Sequence, residues 1–63
     1  MIRTEISCIV EESDYLEVYE LAEGVRVSVL DGGLVGEIFL DLKKTKQLVS
    51  ALNNAILGME EKL

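Results

Sequence analysis

Histidine and proline are absent from this chain of 63 residues, and cysteine occurs once. Without histidine there is neither a zinc-finger ligand set nor a histidine acid–base site. Cys8 alone cannot close an intrachain disulfide. No base stands beside it in the sequence to make a nucleophile, so it reads as a small buried apolar residue. Missing too are a glycine-rich phosphate loop opening a helix, a Ser–base pair and the Asp-x-Asp-x-Asp loop of a calcium hand. Gly32, Gly33 and Gly36 read as turn and close-packing glycines. No enzyme class finds its parts, and the expectation is no catalytic residue, no metal and no cofactor.

Other absences bear on location and partners. No apolar run approaches the roughly 18 residues of a membrane span. Met1-Ile2-Arg3-Thr4-Glu5 lacks the basic and apolar regions of a signal peptide. With one free thiol, this reads as a cytoplasmic chain. Basic charge is scarce: six Lys/Arg face twelve Asp/Glu, a net of −6. That disfavours direct nucleic-acid binding and anionic membrane surfaces. The imbalance is also uneven. Residues 1–41 carry ten acids and two arginines, a net of −8; residues 42–63 carry two acids and four lysines, a net of +2.

What is present is apolar pattern, at 49% hydrophobic content in one small domain, 1–63. Ile2, Thr4, Ile6, Cys8 and Val10 alternate with Arg3, Glu5 and Ser7, a strand over about 2–10. Ile9 breaks the alternation, and Glu11-Glu12-Ser13-Asp14 is a turn by composition. Residues 15–22 put Leu16, Val18, Glu20 and Ala22 on one face and Tyr15, Glu17, Tyr19 and Leu21 on the other. Neither face is clean. A helix over 14–22 stays open beside the strand, because Tyr15, Val18 and Tyr19 also fall at helical spacing. Glu23-Gly24 reads as a hairpin connection in which Gly24 takes positive φ. Val25, Val27 and Val29 give a clean strand over 25–30, and Asp31-Gly32-Gly33 a hairpin turn. A strand over 34–40 follows, with Leu34, Gly36, Ile38 and Leu40 opposite Val35, Glu37 and Phe39.

Asp41 is placed to cap a helix over about 42–62. Leu42, Thr45, Leu48, Val49, Leu52, Ala55, Ile56, Met59 and Leu63 recur at three- and four-residue steps, a single apolar stripe. The fold class is therefore α+β: a four-stranded, mostly antiparallel meander with one C-terminal helix packed on one face. The expected core is Ile6, Cys8, Val27, Val29, Ile38, Leu40, Leu48, Leu52, Ile56 and Met59, with hairpin register deciding which row of the sheet meets the helix.

The stretch from Asp41 to Leu52 resembles a pattern in small bacterial and phage proteins. There a valine-rich strand runs into a cap, then a helix with a small residue at the fifth position, Leu at the eighth and Ala-Leu at the eleventh and twelfth. Asp41, Thr45, Leu48, Ala51 and Leu52 fit; Leu42 stands where proline is usual. The resemblance covers about fifteen residues. It implies a sheet backed by a C-terminal helix and no activity. Short acidic chains of this kind also resemble phage accessory proteins, some of which block host defence systems.

Three surfaces stand out. If the helix covers one sheet face, the other still holds Ile9, Tyr15, Tyr19, Leu21, Val35 and Phe39. Such a patch suits a protein interface. The acids Glu11, Glu12, Asp14, Glu17, Glu20 and Glu23 suit a solvated rim or a surface for a basic groove. Lys43, Lys44 and Lys46 crowd the helix start, the wrong sign for its dipole, and would suit an anion. A chain this short buries only about 60% of its unfolded surface, so a homodimer or higher oligomer is expected. The leading expectation is a non-enzymatic protein-binding inhibitor or adaptor, phage-encoded by resemblance. The alternative is an oligomer that sequesters a small anion such as a nucleotide.

Overall fold

The computed structural model describes residues 2–62. Four strands are followed by one helix: β1 Arg3–Ser7, β2 Tyr15–Leu21, β3 Gly24–Asp31, β4 Leu34–Asp41 and α1 Leu42–Glu61. The strands form one antiparallel sheet in the order β1-β2-β3-β4, each beside its neighbour in sequence. Residues 15–21 are therefore strand, and the helical option for that segment falls away.

Register places the side chains. Thr4, Val18, Val27 and Ile38 form one cross-strand row, and Ile6, Leu16, Val29 and Gly36 the next. These share the inner face, toward the helix. Arg3, Tyr19, Arg26 and Phe39 form a row on the outer face, beside Glu5, Glu17, Ser28 and Glu37.

The turns explain where strands stop. Gly32 and Gly33 both take positive φ, 58° and 84°, the backbone of a tight two-residue hairpin. The β2–β3 turn is Ala22-Glu23, since Leu21 pairs with Gly24. Gly24 has no positive φ, contrary to the sequence expectation. A methyl group there would instead overlap the Leu40 carbonyl oxygen, so glycine lets β4 approach β3 closely just before the helix begins.

The first strand is shorter than its alternation suggests. It ends at Ser7, and residues 8–14 loop out. The Cys8 amide donates to the Asp14 carbonyl oxygen at 2.9 Å, and the Asp14 amide donates to Glu11 O at 3.0 Å. The chain thus turns through Cys8, which is exposed rather than part of a core. Ile9 leaves the sheet entirely and is fully exposed in the loop. The Asp14 carboxylate accepts from the Gly32 amide at 3.0 Å, tying this loop to the β3–β4 turn.

Asp41 caps α1: its carboxylate accepts from the Lys44 amide at 2.8 Å. The Thr45 hydroxyl donates to the Asp41 carbonyl at 2.7 Å, fastening the first turn to the end of β4.

The expected core is only assembled in part. Among the described residues Val27 alone is buried, with 9% exposure, and no residue of α1 is. Leu40 is half-buried, but Ile38 and Leu52 keep 57% and 54% of their surface, and Ile6, Val29, Leu48, Ile56 and Met59 are likewise exposed. The reason is geometric. The helix leaves β4 toward the inner face and brings Leu48 and Leu52 near it, without lying down on the sheet. The Cα radius of gyration is 13.3 Å, against about 10.6 Å for a compact domain of this length.

Candidate interaction surfaces

Between the sheet and α1 lies an open apolar cleft of about 750 Å³. Its floor is Leu16, Val18, Val27, Val29 and Ile38, and Leu48 and Leu52 form one wall. Ile6 and Cys8 stand at one end of it. The inner rows of the sheet and the stripe of the helix both face this space, so the helix side carries uncovered apolar surface as well as the outer face. No helix of the described residues is long and apolar enough to cross a membrane.

The outer face is organised differently. Arg3 and Arg26 lie on either side of the Tyr19 ring, with guanidinium carbons 5.7 and 4.2 Å from its centroid. Arg3 pairs with Glu17 and with Glu5, the latter at 3.1 Å. The Tyr19 hydroxyl donates to the same Glu17 carboxylate at 3.0 Å. Hydrogen bonding from Arg3 first, with help from Tyr19, holds the Glu17 carboxyl below the usual carboxylate range; partial burial opposes this. Ser28 donates to Glu37 at 3.3 Å. Arg26 Nε lies 3.8 Å from Glu37 and makes no hydrogen bond.

Of the residues expected at an interface, Tyr15, Tyr19, Leu21, Val35 and Phe39 all share the outer side of the sheet, as their parity requires. Tyr19 is half-buried between the arginines. Phe39, 64% exposed, and Val35 stand free on β4. Ile9 does not join them. Arg3, Arg26 and Glu37 went unnoticed as partners of this face. Their signal was present: Arg3 on β1 and Arg26 on β3 share the face of Tyr19 between them, and Glu37 on β4 shares the face of Phe39 two residues on.

The acids do not form one rim. Glu11, Glu12 and Asp14 belong to the β1–β2 loop, at one end of the sheet. Glu20 and Glu23 are at the other, by the Ala22-Glu23 turn. Glu17 sits mid-face in its ion pair. Among the described residues no three His, Cys, Asp or Glu side chains are grouped to hold a metal ion. The lysines divide as well. Lys43 and Lys46 border a shallow groove along the helix with Gln47, Ser50, Ala51 and Asn54, whereas Lys44 is outside it and its amide is taken by Asp41.

Comparison with protein-family models, curated proteins and solved structures finds no match.

Proposed function

We propose that this chain is a non-enzymatic protein-binding module, an inhibitor or adaptor that docks through the outer face of its sheet. The observation that carries this is the row Arg3–Tyr19–Arg26–Phe39 with Val35 beside it. Tyrosine, phenylalanine and arginine are the residue types that anchor protein interfaces. Here Tyr19 is held by two guanidinium groups, so little side-chain freedom is lost when a partner covers it. Acid at both ends of the sheet favours a partner with a basic groove and steers its approach. The resemblance of this short acidic chain as a whole to phage accessory proteins directs the choice of partner to host defence proteins.

The test is affinity capture from bacterial lysate with the wild-type chain and a Val35→Glu/Phe39→Glu variant, at low and high salt. A specific protein held by the wild type, released by salt and missed by the variant supports the reading. Equal retention by both chains, or none by either, removes it.

A further inference from the structure

We infer that the cleft between sheet and helix is filled by α1 of a second copy of this chain, and that the same exchange operates in reverse. Three observations on the molecule converge. The first is area. A compact monomer of 7.0 kDa exposes about 4,000 Å² by surface–mass scaling, whereas this chain exposes 5375 Å². The surplus of about 1,300 Å² per subunit exceeds the roughly 800 Å² that each partner gives to a standard interface, and lies in the range of homodimers.

The second is self-complementarity. On the helix side two apolar surfaces are uncovered, the inner sheet rows and the far part of the helix stripe at Val49, Leu52, Ile56 and Met59. A twofold axis sets the stripe of each copy against the cleft of the other, so both surfaces are covered by one operation. Their lengths agree: α1, with 20 residues, spans about 30 Å, and an eight-residue strand about 26 Å. Leu48 and Leu52 of the same chain supply only one wall of the cleft, leaving room for a second helix beside them.

The third is charge. The inner rows Thr4-Val18-Val27-Ile38 and Ile6-Leu16-Val29-Gly36 hold no charged side chain, and Glu5, Glu17 and Glu37 lie on the opposite face, so an apolar helix stripe seats on uncharged surface, within an overall repulsion of −6 against −6. The contact is independent of the outer face, so the dimer and the partner surface stand or fall separately.

Sedimentation of the wild type at about 100 μM should give twice 7.0 kDa. In a mixture of labelled and unlabelled chains, isotope-filtered NOEs should connect the Leu52 and Ile56 methyls of one copy with the Ile6 and Val29 methyls of the other. Leu52→Glu/Ile56→Glu should raise the dimer dissociation constant by at least about 100-fold while the far-UV spectrum is kept, because both side chains lose apolar burial. If that variant does not fold, the wild-type NOE pattern decides. A stable 7.0 kDa monomer overturns the inference. So do intermolecular NOEs confined to Val35, Phe39 or the backbone of β4, and so does an unchanged dimer in the folded double-glutamate variant.

Discussion

At the scale of single residues, the least replaceable positions are those where backbone and charge meet tightly. Gly24→Ala pushes a methyl into the Leu40 carbonyl oxygen and must part the ends of β3 and β4. Overpacking of this kind costs about 1–3 kcal/mol, to be read from the urea midpoint. Glu17 gives a pH signature. Its folded pKa is depressed by Arg3 and Tyr19, so its stabilising contribution is present above the unfolded value near about 4.3 and is lost as pH falls through the lower folded value. Glu17→Gln should therefore be less stable than wild type at neutral pH, and the two unfolding midpoints should converge as the solution is acidified below that window. A constant gap down to pH 3, roughly a unit below the free value, would mean that the Arg3 pair contributes nothing to folding. Tyr19 shows where sequence reasoning stopped short. A turn at Glu23-Gly24 sets Tyr19 opposite Ser28; the actual turn at Ala22-Glu23 slides the pairing by two and sets it opposite Arg26. Parity survives such a slip, so the face was legible. The neighbour was not.

At the scale of elements, the four strands, the Asp31-Gly32-Gly33 hairpin and the capped helix were all legible, because each is written in local chemistry: alternation, positive-φ glycines and an acid before a helical stripe. The end of β1 was not. Alternation runs on to Val10, but hydrogen bonds from Cys8 and Asp14 fold the loop back first, and Ile9 on the wrong parity was the trace of it. Two caps can be weighed. Asp41→Ala removes the acceptor for the Lys44 amide and should cost about 1 kcal/mol of helix stability, measured by thermal melting at 222 nm in the far-UV region where helices absorb. Asp14→Ala frees the Gly32 amide and should cost about 0.5–1.5 kcal/mol, with faster hydrogen exchange at Gly32 and its turn.

At the scale of the whole molecule, alternation divides the sheet into two sides and marks one helix stripe, yet which side the helix faces, and whether they meet inside one chain, is not a local property. Periodicity states which side is apolar; it does not state whose helix covers it. Association should then carry a salt signature. Each copy bears −6, and screening shortens the reach of that repulsion to about 8 Å at physiological ionic strength. The dimer dissociation constant should fall as sodium chloride rises, by sedimentation equilibrium; a constant that rises with salt would assign the contact to ion pairs instead of apolar burial.

The strand order β1-β2-β3-β4 has a consequence for biosynthesis. Every pairing joins consecutive segments, so each hairpin can close as soon as its second strand leaves the ribosome, with short loops and little entropy to overcome. The helix follows the sheet. Until the helix has formed, the sheet presents a bare valine-rich side and an unpaired β4 edge, and chains that meet at that stage pair with one another. Synthesis rate, rather than intrinsic stability, would then set how much of this chain reaches its assembled form and how much aggregates on the way.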